Sequence, residues 1–394
     1  MPYRVLLKKN EEKRILQGHP WVYANEVLEI SGEGRNGDLA EVFTCDGKYI
    51  GKGYLNHLSK ILVRIFIRDG SVPDEDFYVN RISYADSLRQ RLGYSPEAGY
   101  RAVFGESDGL PGLIVDRYGD LLCVQMLTLG VEKNKDVIVS ALKKVYSPRG
   151  IYARNDVSVR EKEGLKLTKE KLFGDFDPVT TITENGIKMR VDLENGQKTG
   201  YFLDQKENRY ALRRYVLGGS VLDCFSNVGG FSMNAAAAGA SEVVAADISE
   251  RALDEVRLNA ELNGFEGKVK TLCGDVFDLL KNYRREGKFF DLVILDPPAF
   301  CKSRGDVKNA LRGYRDVNAA GLAVVRPGGF LVTSSCSHFV TFDMFENMLR
   351  EASAASGKTV RVVETRTQAP DHASMLAGDE STYLKFFVLA VDQT

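Results

Sequence analysis

The chain has 394 residues, more than one ordinary domain holds, and its 44% hydrophobic and 27% charged residues are those of a globular protein. No apolar run approaches the ~18–20 residues of a membrane span, and Met1 to Lys9 carries charge too early for a secretory signal. Lys+Arg 53 against Asp+Glu 54 gives a formal charge of −1, which excludes a bulk polycation, so any nucleic-acid surface must be local. Six cysteines (45, 123, 224, 273, 301, 336) lack CxxC spacing. That argues against a zinc site and a secreted disulfide framework, and for a reducing cytoplasm.

Residues 1–70 alternate apolar and polar residues in short runs (Arg4 to Leu7, Val22-Tyr23, Leu39 to Phe43, Tyr49 to Tyr54, Ile61 to Ile67) between glycine turns. This predicts a small, mainly β barrel. Its charge is +2. The run Gly18-His19-Pro20-Trp21-Val22-Tyr23, with the later Gly51-Lys52-Gly53-Tyr54, resembles the start of a PUA domain, a small RNA-binding barrel. Trp21 reads either as a core anchor or as a contact to RNA.

Residues 71–175 change character and carry no net charge. A polar break at Pro73 to Asp76 is a helix start, and a helix is predicted from about Phe77 to Leu92. Strands follow at Tyr100 to Phe104, in the run Asp108 to Tyr118, and at Leu121 to Leu127. A second helix spans about Glu132 to Val145, and Ile151 to Arg154 is again strand-like. Segregated strands and helices predict a small central α+β domain. The string from Gly105 to Asp120 resembles one found in a family of ribosomal-RNA methyltransferases; taken alone, its glycines and aspartates need only form turns. Residues 164–195 read as a connector and then a hairpin at about 178–193, turning on Asn185-Gly186. Lys198, Thr199, Gly200 and Phe202 follow in a polar segment that reads either as a cofactor contact or as a plain helix start.

From Val221 the pattern is β-α-β-α, a doubly wound sheet. Val221 to Phe231 reads as a buried strand, a tight turn (Phe225, Asn227, Gly229, Gly230, Phe231) and an alanine-rich helix, which presents backbone N–H groups to a ligand. Val243 to Ala246 ends in Asp247 and Ile248, where a carboxylate suits ribose hydroxyls. Val269 to Leu272 leads to Asp275 and Val276, and Asp291 to Asp296 forms the fourth strand. Phe330 to Ser335 forms the fifth, ending at Cys336, and Val360 to Thr365 with Tyr383 to Ala390 form a terminal antiparallel pair. Asp223, Asp247, Asp275, Asp296 and Cys336 thus fall at or just beyond strand ends, where such sheets bind ligands. The turn is not a G-x-G-x-x-G, which disfavours a nicotinamide dehydrogenase.

Asp296-Pro297-Pro298-Ala299-Phe300 is the most specific signal. Two prolines after a buried strand make a rigid wall, and an aromatic beyond it can stack on a base. It resembles the base-pocket motif of class I S-adenosylmethionine-dependent methyltransferases acting on nucleic acids. Cytosine C5 becomes nucleophilic only when a thiolate adds to C6, so that chemistry needs a cysteine beside the base; Cys336, at the tip of the strand next to that of Asp296, can reach the same pocket and reads either as this nucleophile or as an inert strand-end cysteine. Lys302, Arg304, Lys308, Arg312, Arg315 and Arg326 give the segment 301–326 a local +4. It reads as a phosphate-binding lip or as a solvated charged helix.

With these motifs the whole chain resembles the RlmI family of 23S rRNA (cytosine-C5)-methyltransferases. The resemblance implies a PUA domain over 1–70, a central α+β domain over 71–175 and a Rossmann-like class I methyltransferase domain over 176–394. It implies S-adenosyl-L-methionine as methyl donor, and 23S rRNA or a large-subunit assembly intermediate as partner. It implies catalysis by Cys336 and Asp296 on a flipped base. Asp223, the Phe225–Phe231 loop, Asp247, Ile248, Asp275, Val276, Asp296 and the Lys198–Phe202 segment would hold the donor. Pro297, Pro298, Phe300, Lys302, Arg304, Arg312, Arg315 and Trp21 would contact RNA. Many such enzymes use a second cysteine in the proline motif for product release; Ala299 stands there, which leaves release to Asp296 or a water. A guanine-N methyltransferase and a non-catalytic RNA-binding assembly factor remain as alternatives.

Overall fold

A computed structural model describes residues 3–301, 303–378 and 381–392. They pack as two units, one of Met1–Ile182, Val191–Leu203 and Pro370–Ser381, the other of Thr183–Arg190, Asp204–Ala369 and Thr382–Thr394.

The first unit holds two larger sheets among the described residues. The short alternating runs at the start form six strands, in spatial order Trp21–Tyr23, Ile61–Ile67, Tyr49–Leu55, Leu39–Phe43, Tyr3–Leu7 and Val27–Ser31. Val5, Leu7, Val22, Val42, Leu55 and Val63 fill its core. Gly53 is required where this sheet folds tightly, because a Cβ there would meet the Arg64 carbonyl oxygen at 1.9 Å. The second sheet orders Thr168–Phe173, Gly150–Asn155, Leu121–Met126, Leu113–Tyr118 and Tyr100–Phe104, with helices Glu75–Arg91 and Lys135–Tyr146 sharing its core. Asp74 caps the first of these helices by accepting the Phe77 N–H at 2.9 Å.

Two elements here differ from the sequence reading. The connector after residue 164 contains a strand, Thr168–Phe173, paired antiparallel with Gly150–Asn155. It is an edge strand, mostly exposed and lysine-rich, so it lacks the apolar alternation that marks a half-buried strand. The helix expected at Glu132 to Val145 is broken at Asn134 into Leu129–Lys133 and Lys135–Tyr146.

The second unit carries the doubly wound sheet. Its strands are β1 (Ser220–Cys224), β2 (Glu242–Asp247), β3 (Val269–Cys273), β4 (Phe290–Leu295), β5 (Val325–Ser335), β6 (Val360–Arg366) and β7 (Lys385–Val391). Among the described residues the order is β3-β2-β1-β4-β5-β7-β6. The first five are parallel; β7 runs antiparallel between β5 and β6. Helices α1 (Gly230–Ala237), α2 (Glu250–Leu262), α3 (Val276–Glu286), α4 (Val307–Leu322) and α5 (Phe342–Ser356) cover the sheet. Leu222, Cys224, Val293, Leu295 and Leu331 point into one apolar core with α3, α4 and α5. Alternation along β1 therefore turns Asp223 to the other face.

The Asn185-Gly186 turn joins Val179–Glu184 to Ile187–Asp192, with both turn residues left-handed at φ 55° and 78°. Glu184 at its end is fully buried and bound by the Arg209 guanidinium through two bonds of 2.6 and 2.7 Å. Removing one partner strands a buried charge. Glu184→Ala should therefore destabilise the fold by about 3–5 kcal/mol, and Glu184→Leu with Arg209→Met by much less. Thermal melting followed by circular dichroism of the single and double variants checks the ordering.

Candidate active site

The loop after β1 is shaped by backbone strain that its neighbours hold in place. Phe225 (φ 61°), Asn227 (φ 50°) and Gly229 (φ 84°) are all left-handed, and only the glycine adopts this without cost. Asp247, at the end of β2, clamps the loop: one carboxylate oxygen accepts the Asn227 N–H at 2.9 Å and the other the Ser249 N–H at 2.9 Å. Asn227 caps the Val228 N–H with its side chain at 2.6 Å, and Asn259 of α2 donates to the Val228 carbonyl at 2.9 Å. Gly229 is the N-cap of α1, where a Cβ would press on Val256 at 3.2 Å. Gly230 and Phe231 form the first turn of α1 and are buried.

Asp223 lies under this loop. Its Oδ2 accepts the Ser232 hydroxyl of α1 at 2.6 Å, while its buried Oδ1 has no hydrogen-bond partner among the described residues. Burial, and secondarily the nearby Asp296 and Asp247, push its carboxyl up to about 7. Asp275, just beyond β3, spends Oδ1 on capping α3 through the N–H groups of Phe277 (2.8 Å) and Asp278 (3.2 Å). Val276 beside it is buried, whereas Ile248, after Asp247, is 73% exposed.

Asp296 is held by residues to which the sequence assigns no role toward it. Gln205 donates to Oδ1 at 3.0 Å, and the Ser334 hydroxyl of β5 donates to the same oxygen. Asn208 in turn holds the Gln205 carbonyl oxygen at 2.7 Å, and Arg366 donates to Asn208 at 3.0 Å. Oδ2 of Asp296 receives no hydrogen bond from these groups. Burial raises the Asp296 carboxyl above its ordinary value. Pro297 is buried and Pro298 exposed. Phe300 lies against Tyr314 of α4, ring centres 4.6 Å apart, and lines a cavity of about 300 Å³ with Phe277, Asn309 and Gly313.

Cys336 is the residue after β5 and is half-buried. β5 pairs with β4 in the register Leu295↔Thr333, so Cys336 and Asp296 leave the sheet at the same edge. Ser337 anchors the turn: its hydroxyl bonds the Tyr314 hydroxyl at 2.8 Å and accepts the Cys301 N–H at 3.2 Å. Cys301 itself is buried, its thiol donating to the Ser303 carbonyl at 3.1 Å.

A model of S-adenosylmethionine-dependent methyltransferases matches residues 162–384, and a PUA-like domain model matches residues 5–68. Ribosomal RNA large subunit methyltransferase I of Erwinia tasmaniensis is 40% identical over 396 residues, covering 99% of this chain and 100% of that protein. The protein of the same name from Escherichia coli (strain UTI89) is 38% identical over 395 residues, with 99% and 100% covered. The chain belongs to the ribosomal RNA large subunit methyltransferase I family of S-adenosylmethionine-dependent methyltransferases. A putative methyltransferase from Streptococcus mutans shares the fold, with a TM-score of 0.84 at 22% identity over 99% of this chain and 100% of that one. A putative methyltransferase complexed with SAH matches with a TM-score of 0.85, also at 22% identity over 99% and 100%.

The strand ends of this methyltransferase suit its methyl donor. The orphaned Asp223 oxygen is a fixed acceptor for a cationic group, and the clamped loop brings backbone to the same place. The structure gathers Asp223, the loop, Asp247, Ile248, Asp275, Val276, Asp296 and Cys336 at the carboxyl edge of one sheet. Lys198, Thr199, Gly200 and Phe202 belong to the first unit. There the Thr199 hydroxyl donates to Asp116 at 2.5 Å, and the Lys198 amine lies 4.5 Å from the Phe202 ring centre. Gly200 is left-handed (φ 125°) and packed on Val191. Trp21, also in the first unit, donates its indole N–H to Glu106 at 2.9 Å. Arg304, Lys308 and Arg312 are exposed at four-residue spacing, Arg315 pairs with Asp316 at 2.7 Å, and Lys302 lies outside the described residues.

The raised Asp223 carboxyl has a stability consequence. Its folded value, about 7, exceeds the unfolded ~3.9. The folded state therefore holds a proton that the unfolded state has lost, and stability falls as pH rises from about 4 through about 7. Asp223→Asn should melt higher than the wild type at pH 8 without ligand, and the gap should close on acidification toward pH ~5. Melting curves of both proteins over that range check it.

Proposed function

We propose that the chain transfers the methyl group of S-adenosylmethionine to C5 of a cytosine in 23S rRNA, free or in a large-subunit assembly intermediate, with Cys336 as nucleophile. The observation that carries this reading is the half-buried thiol of Cys336 leaving the sheet beside Asp296-Pro297-Pro298. Full-length relatives named ribosomal RNA large subunit methyltransferase I support the substrate class.

The donor supplies an electrophilic methyl group on a sulfonium. Asp223 and the Phe225–Phe231 loop hold its methionine half; Asp247, Ile248, Asp275 and Val276 hold its adenosine. The target cytosine is flipped against Pro297 and Pro298. Oδ2 of Asp296 takes its N3/N4 edge, while Gln205 and Ser334 fix Oδ1. The Cys336 thiolate adds to C6 and the C5=C6 pair moves to C5, which attacks the methyl carbon as the methyl–sulfonium bond breaks, its electrons staying on the donor sulfur, which leaves as a neutral thioether. A base, Asp296 or a water, then takes the C5 proton; its electrons restore the C5=C6 bond and sulfur leaves with the C6–S pair. Arg304, Lys308 and Arg312 form the phosphate-binding lip, and the PUA-like barrel adds RNA surface, with Trp21 on it.

Cys336→Ala should lose methyl transfer to rRNA while still binding the donor by calorimetry, and the wild type should form a covalent adduct with 5-fluorocytidine RNA. Methylation retained in Cys336→Ala would replace this reading with a guanine-N methyltransferase, and no donor binding would leave an RNA-binding factor. Separately, replacing Arg304, Lys308 and Arg312 by alanine should flatten the salt dependence of RNA binding by about 2 in log–log slope, read by fluorescence anisotropy.

A further inference from the structure

Lys385 is 3% exposed and opens β7 as the register partner of Ser335. Its amine donates to the carbonyls of Ser337 at 2.6 Å and Tyr383 at 2.7 Å. Ser337 directly follows Cys336, so the amine is fixed to the peptide segment that bears the thiol. No carboxylate among the described residues forms an ion pair with it. A buried cation without an anionic partner is costly, and carbonyl dipoles offset only part of that cost. Burial lowers the Lys385 ammonium to about 8, and the nearby Cys336 and Cys301 sulfurs act in the opposite direction. The other titratable groups on this turn are Tyr314 of α4, through Ser337, and the exposed His338.

We propose that Lys385 is a positioning residue that holds Cys336 as a thiolate through the charge of an ammonium pinned to the Ser337 carbonyl. The thiol proton leaves to solvent from the exposed side of Cys336, the S–H electrons stay on sulfur, and Lys385 remains protonated. The same charge receives the sulfur when the C6–S bond breaks. Of the two thiols, Cys301 is buried and spends its proton on Ser303, whereas Cys336 is partly exposed.

This rests on the reading of Cys336 as the nucleophile, but the test needs neither RNA nor donor. A failed Lys385 assignment is therefore separable from a failed cytosine-C5 reading. In the full chain, iodoacetamide labelling of Cys336 is followed by peptide mass spectrometry from about pH 6 to about pH 10. Lys385→Met should raise the midpoint by about one pH unit and slow labelling at pH 7 about tenfold, with the alkaline plateau kept. Lys385→Arg should restore most of it. An unmoved midpoint in folded Lys385→Met overturns the proposal. If that variant does not fold, Cys336→Ala gives the reciprocal reading: the Lys385 midpoint, followed by carbon-13 NMR at Cε, should fall, and no change overturns the proposal.

Discussion

The hydroxyl of Ser334 on the carboxylate of Asp296 ties the two halves of the candidate chemistry together. One residue belongs to β5, two positions before Cys336; the other directly follows β4 and begins the proline wall. In a parallel pair the strands fix which residues are neighbours, but their exits diverge into separate loops. A side-chain bond across the exits keeps the strand that leads to Cys336 and the proline wall in one geometry, and Gln205 with Asn208 and Arg366 makes the carboxylate rigid from the other side. Catalysis that depends on a near-attack arrangement needs such support.

Electrostatics follow from the same strand ends. Asp223 and Asp296 are raised by burial, each with one oxygen satisfied inside the fold. Asp247 and Asp275 spend their carboxylates on backbone N–H groups instead. Carboxylates of one residue type at one sheet edge thus divide into two raised by burial, of which Asp223 keeps an unpartnered oxygen, and two that shape the loops. Lys385 is their counterpart, a cation that carbonyls hold and no described carboxylate neutralises.

Much of this was legible in the residues. The five parallel strands, the antiparallel terminal pair, the Asn185-Gly186 hairpin and helix Glu250–Leu262 follow from apolar runs and turn chemistry, which are local signals. The strand Thr168–Phe173 was not legible, because an exposed edge needs no apolar face. Asp296 and Cys336 stand out through the proline pair and the strand end beside it. Gln205, Ser334 and Lys385 do not: a glutamine, a serine and a lysine have no local pattern, and their meaning comes from contacts across 91, 38 and 48 positions.

The antiparallel β7 has a consequence for how the enzyme comes into being. It is the last of the seven strands in chain order, yet it fills the gap between β5 and β6. During synthesis β5 emerges with that edge unpaired, and β6 has no neighbour until β7 arrives. The amine at the head of β7 therefore reaches the Ser337 carbonyl only when the sheet closes. On the proposed role of Lys385, a nascent chain displays the glycine loop and the proline wall well before its cysteine gains the ammonium.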